Sequence, residues 1–136
     1  MKSRDPIIMR IQGGLGNQLY QYALGRSLAI SSGRSMLLET RNVNRDSFRK
    51  YELSVFNIKE KYPDMLTKWC VRWAASNSSG RMFRTVCPLA WNYKIVRDKE
   101  TGFYASIFNL DKGTFILEGY WQSFKYFERY QDVIKK

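Results

Sequence analysis

A chain of 136 residues makes one ordinary domain, long enough for a hydrophobic core, and its 44% apolar and 26% charged residues fit a globular protein. Its 23 basic residues outnumber 12 acidic ones, and the net charge of +11 attracts phosphates, nucleic acid or an anionic membrane face. His is absent and Cys70 and Cys87 form no metal-type or redox-type pair, so imidazole catalysis is excluded and a zinc site is not expected. No apolar stretch approaches the roughly 18 residues of a membrane span, and unpatterned cysteines fit reduced thiols in a cytoplasm.

Ile7 to Gln12 is a run of β-branched and apolar residues and predicts a buried strand. Gly13, Gly14 and Gly16 break it. Asn17 is a suitable N-cap for the next segment, where Tyr20, Ala23, Leu24 and Leu28 repeat at helical spacing to about Ser32. Gly33 ends that helix, and Ser35 to Glu39 reads as a second strand, parallel to the first. Thr40 to Lys50 is polar and predicts a loop; its Arg41, Arg45, Arg49 and Lys50 are the densest basic run, broken by Asp46. Tyr51 to Ile58 alternates weakly. Pro63 to Ala75 has helical spacing, Ser76 to Gly80 reads as a turn, and Pro88 ends a further short helical stretch. Tyr93 to Val96 and, more strongly, Phe115 to Tyr120 read as strands, and Ser123 to Ile134 as a helix capped by Ser123.

The glycine-rich turn after the first strand is the feature with chemical content. Glycine is required where φ is positive or where a backbone approaches something closely, and three in four residues between a strand and a helix suit both needs. The free N–H groups and positive dipole end of such a helix favour phosphate. Two standard phosphate loops fail here. The dinucleotide fingerprint starting at Gly14 needs a small residue where Leu19 stands, and the Walker pattern needs Gly-Lys-Ser/Thr where Asn17-Gln18 stands. Spacing alone leaves a tight packing turn and a ligand loop equally open.

The run Gly13-Gly14-Leu15-Gly16-Asn17-Gln18-Leu19-Tyr20-Gln21-Tyr22, continuing through Gly25-Arg26-Ser27-Leu28-Ala29, resembles the opening of the bacterial-type α-1,2-fucosyltransferases of glycosyltransferase family 11. Two later segments agree in order: Tyr51-Glu52-Leu53 with Phe56-Asn57-Ile58, and Gly119-Tyr120-Trp121-Gln122-Ser123 with Lys125-Tyr126-Phe127. Phe124 departs from the family's usual Glu.

That resemblance implies an α/β fold: the Rossmann-like N-terminal domain of a GT-B-type glycosyltransferase, with a parallel sheet flanked by helices. It implies transfer of fucose from GDP-fucose to the 2-hydroxyl of a galactose-containing glycan, inverting the anomeric centre without a metal ion or other cofactor. By the same carry-over Gly14, Leu15, Gly16, Asn17 and Gln18 contact the donor, and Gln21, Trp121, Gln122 and Ser123 are candidates for the cleft wall. Gln18 and Gln21 either face the cleft or satisfy the loop backbone; Trp121 either stacks on a ligand or packs, and Ser123 is also needed as a cap. The family's His-x-Arg-Arg-x-Asp segment, whose Arg neutralises the departing diphosphate, has no counterpart in a chain without His. The expectation is therefore an N-terminal half, a truncated product or a non-catalytic remnant, inactive alone, with no residue assignable as general base. The expected place is the cytoplasm, with peripheral contact at the inner membrane face as the positive charge allows. A competing reading is a basic nucleic-acid-binding module, although the chain carries no recognised nucleic-acid motif.

Overall fold

The structure, a computed structural model, describes residues 5–58, 61–76, 82, 85, 87–99 and 102–136. In chain order the strands and α-helices are β1 (Ile7–Arg10), α1 (Leu15–Ser32), β2 (Met36–Glu39), α2 (Arg41–Arg45), α3 (Met65–Ala74), β3 (Tyr93–Arg97), β4 (Thr114–Glu118) and α4 (Gln131–Ile134), with short 3-10 turns between them. The strands form one sheet in the order β2-β1-β4-β3, and every pairing is parallel. β1 aligns Ile7 with Met36 on one side and with Phe115 on the other.

Strand side chains alternate between two buried faces, which is why these strands read as continuous apolar runs. Ile7 and Met9 face Leu24 and Leu28 of α1, while Ile8 and Ile116 face Val71 and Ala74 of α3. The sheet is thus covered on both sides, an α/β arrangement. The chain leaves β1 for β2 in one direction, whereas β4 lies against the opposite edge of β1. The carboxyl ends of β1 and β4 therefore flank a topological switch point, where open α/β sheets bind ligands.

α1 starts earlier than the sequence suggests. Its N-cap is Gly14, not Asn17, and Gln18 N–H already donates to Gly14 O at 3.0 Å. Asn17 lies within the first turn, because Gly13, with φ +77°, turns the strand directly into the helix. At the other end the Gly33 and Arg34 amides donate to Ile30 and Ala29 carbonyls. Asp64, not Pro63, starts α3: its carboxylate accepts from Thr67 N–H at 2.7 Å, and the Thr67 hydroxyl together with that amide holds the carboxyl below its ordinary range.

Two further expectations are corrected. The polar stretch after Thr40 contains α2. The helix expected over Ser123 to Ile134 is instead broken into turns at Phe124–Tyr126 and Glu128–Tyr130 before α4, and Ser123 makes no side-chain cap bond. The break arises because Tyr126 turns inward against Trp121 and Tyr104, with ring centroids 5.9 and 6.0 Å away, so the regular helical phase is lost. Apart from Ser76, Met82, Thr85 and Cys87, the turn at Ser76 to Gly80 and the stretch before Pro88 lie outside the described residues.

The aromatic cluster has a titration consequence. Burial, reinforced by the neighbouring Tyr126 and Asp98, pushes the Tyr104 phenol from 10.0 up to about 12. A folded pKa above the unfolded one gives stability that is complete below pH 10 and lost as pH rises towards 12. Urea midpoints measured across that window, alongside tyrosinate absorbance, should fall as pH rises, and Tyr104→Phe should remove part of the slope. A midpoint that stays flat in wild type would contradict this.

Candidate functional site

The β4 end explains the Gly-Tyr-Trp-Gln order. Gly119 has φ +145° and Trp121 φ +57°, and the second value is uncommon and strained for any residue with a Cβ. The result is a tight reversal that sends Trp121 inward and leaves Tyr120 and Gln122 outward. Trp121 is fully buried between Tyr104 and Tyr126, and Asp98 accepts its backbone N–H at 2.8 Å. Its indole Nε1 has no hydrogen-bond partner among the described residues. Trp121 is therefore a core anchor and not a cleft wall.

Two fully buried glutamines on α1 bind the loops together. Gln18 Nε2 donates to Gly13 O at 2.9 Å and to Lys50 O at 2.7 Å, while its Oε1 accepts from Glu52 N–H at 3.0 Å. Gln21 Oε1 accepts from Gln12 N–H at 3.0 Å, and its Nε2 donates to Gln12 O and Gly119 O at 3.1 and 2.9 Å. Each amide oxygen is used once and each amide nitrogen twice, so of the two alternatives it is backbone satisfaction that holds for both. One turn apart on the same face of α1, they clasp the ends of β1 and β4 and the segment at Lys50 to Glu52.

Around this clasp lies a cleft of about 370 Å³, lined by Gln12, Gly13, Gly14, Asn17, Asn42 and Arg49, with Val43, Asp46 and Tyr120 completing it. The Tyr120 ring rests against Gly13, where a Cβ would come within 3.0 Å of it and 2.8 Å of Asn17 Nδ2. Gln122 Nε2 donates to Asn17 Oδ1 at 2.5 Å, joining the two turns across the mouth. Asp46 Oδ1 accepts from the amides of Phe48 and Arg49, a local turn that carries the Arg49 guanidinium over Gly14. The start of α1 has no acidic residue and no side-chain cap, so its first amides and Arg49 present positive potential to the cleft. Asn17, Asn42 and Asp46 add polar groups of the kind that hydrogen-bond hydroxyls.

Of the sequence-predicted site residues, Gly14 and Asn17 line this cleft and Gln122 bonds to Asn17 at its rim. Ser123 and Gln122 line an adjoining cavity of about 410 Å³ with Asp98, Gly102, Tyr120 and Tyr126. Leu15 packs on the core, and the Gly16 Cα faces an apolar groove on the outer side of α1 with Leu19, Tyr20 and Phe127. Arg49, Asn42 and Tyr120 were not foreseen. The basic run at Arg41 to Lys50 was visible as charge, but only the Asp46 turn reveals which Arg reaches the glycines. Among the described residues no three His, Cys, Asp or Glu side chains gather as a metal site requires, and no helix is long and apolar enough to cross a membrane. No family model, curated protein or solved structure matches the chain.

Proposed function

We propose that the cleft at Gly13 to Asn17 is one wall of the donor site of a galactoside α-1,2-fucosyltransferase, in the N-terminal, Rossmann-like domain of a GT-B-type enzyme. The observation that supports it is convergence. Gln18 joins the glycine turn to the Tyr51-Glu52-Leu53 segment, and Gln21 and Asn17 join it to the Gly119 to Gln122 segment, 98 and 105 residues away. The first and third of the segments that resemble the fucosyltransferases meet at one switch-point cleft beside the strained Trp121 backbone, and Gln18 ties the second to the glycine turn that lines it.

In this role the α1 amides and Arg49 stabilise negative charge on the diphosphate of GDP-fucose as the bond from its β-phosphate oxygen to the fucose anomeric carbon breaks. The Asn17 amide hydrogen-bonds the donor, and Tyr120 offers an aromatic face to a sugar. The galactose-containing glycan brings the attacking 2-hydroxyl. The isolated chain binds GDP-fucose without turning it over, because the His-x-Arg-Arg-x-Asp segment has no counterpart in its 136 residues.

Asn17→Ala tests the contact. Its main partner, Gln122, is exposed and can turn to water, so unfolding free energy should change by less than about 0.5 kcal/mol. GDP-fucose affinity, read by calorimetric titration, should fall about fivefold or more, the value of one lost hydrogen bond. Unchanged affinity in Asn17→Ala would remove Asn17 from the site.

A further inference from the structure

A second cleft, of about 160 Å³, opens between α2 and α3 and meets the first at Asn42, which lines both. Arg41 and Arg45 from α2 and Lys68 and Arg72 from α3 line it. On each helix the two cations are four residues apart, a like-charge spacing that weakens a helix without compensation. None of the four has a carboxylate within ion-pair distance among the described residues.

The floor of the cleft does not neutralise them. Glu39 is buried there, but Arg10 Nε pairs with it at 3.3 Å and the Arg41 backbone amide donates to it at 3.0 Å. The other Arg10 nitrogens bond Glu118 at 2.6 Å and Asn42 Oδ1 at 3.0 Å. Arg10 and Glu39 cancel and hold the floor rigid, leaving four positive groups around a space too small for a nucleotide or a sugar chain.

We propose that this cleft binds a phosphate or diphosphate group, free or carried as the head of a larger molecule. Guanidinium forks from Arg41, Arg45 and Arg72 suit phosphate oxygens, and Lys68, half-buried on α3, adds a point charge from the side. The site stands independently of the fucosyltransferase proposal, since none of these four residues belongs to the resembling segments.

Inorganic pyrophosphate titrated calorimetrically into the full chain tests it. Arg45 and Arg72 are exposed, so an R45Q/R72Q double variant should keep the wild-type circular dichroism and melting curve. Pyrophosphate should bind with saturation, and R45Q/R72Q should weaken it about tenfold or more. A control double variant with the same charge change at exposed positions outside the cleft, K125Q/R129Q, should weaken it less than about twofold, by screening-range electrostatics alone. A parallel titration with phosphatidic acid vesicles tells a lipid headgroup from a free anion, and selective weakening by R45Q/R72Q in either arm supports the site. No pyrophosphate or vesicle binding, equal weakening by both double variants, or binding confined to single-stranded RNA with a steep salt slope would overturn it.

Discussion

Gln21→Leu is expected to lower the free energy of unfolding by about 3 kcal/mol, measured by urea denaturation, although it adds apolar bulk to a buried position. Gln21 is fully buried, and its three hydrogen bonds satisfy both backbone groups of Gln12 and the carbonyl of Gly119. Leu occupies similar space but leaves these groups without partners, at about 1 kcal/mol each. Gln21→Glu should be nearly as damaging, because a carboxylate accepts but cannot donate to the two carbonyls that Nε2 now serves. The loss should also release the carboxyl end of β4 from β1, so GDP-fucose affinity falls with stability. A Gln21→Leu protein as stable as wild type would show that the clasp does not hold the loops.

Gly119→Ala is expected to cost as much from a single methyl group, about 3 kcal/mol, through two mechanisms that add. Its φ of +145° lies where residues with a Cβ are strained by about 1 to 3 kcal/mol. The new methyl would also overlap the Asp98 Cβ and come within 3.1 Å of the Asp98 backbone nitrogen. Asp98 cannot retreat freely: its carboxylate holds the Trp121 amide, and its own amide donates to Glu118 O at 2.9 Å. Relief therefore breaks the reversal that presents Tyr120 and Gln122. Gly16→Ala is the control. Gly16 is exposed in the first turn of α1, its φ is not positive and an added Cβ meets nothing within 4 Å, so Ala should be neutral or stabilising by up to about 1 kcal/mol through helix propensity. The glycine requirement in the first turn region thus belongs to Gly13, not Gly16. If Gly16→Ala destabilised the protein more than Gly119→Ala, the backbone account of these turns would be wrong.

Which parts of this could be read from residues follows from the range of the interactions. β1, β2, β4 and α1 are legible because strands buried on both faces are continuous apolar runs and an amphipathic helix repeats at 3.6 residues. β3 is fainter, since Lys94 and Arg97 interrupt its apolar residues, and α2 is hidden because a five-residue helix of Arg, Asn and Val has almost no periodicity. The start of α1 was misplaced by three residues because Asn17 is a good cap in isolation. Only the positive φ at Gly13 and the absence of a side-chain cap at Gly14 show that the turn serves itself.

The site shows the same division. Gly14 and Asn17 could be named from local chemistry and from the resemblance, and both line the cleft. Trp121 could not be settled, because an aromatic at a strand end serves equally as a stacking platform or as a core anchor, and its environment comes from Tyr104 on a separate segment as well as from the nearby Tyr126. Arg49 depended on a turn made by Asp46, and the phosphate-sized cleft on two helices 20 or more residues apart. Which of several equivalent charges face a common space depends on how the turn and the helices that carry them sit against the sheet, and the charge pattern alone does not carry that information.

The central claim, that the glycine turn is the wall of a nucleotide-sugar site, is tested most directly by backbone amide NMR of the chain titrated with GDP-fucose. The account predicts saturable shifts at Gly13 to Gln18, Arg49, Tyr120 and Gln122, with little change at Arg45 and Arg72. Absence of shifts at the glycine turn, or shifts confined to the cleft between α2 and α3, would contradict it.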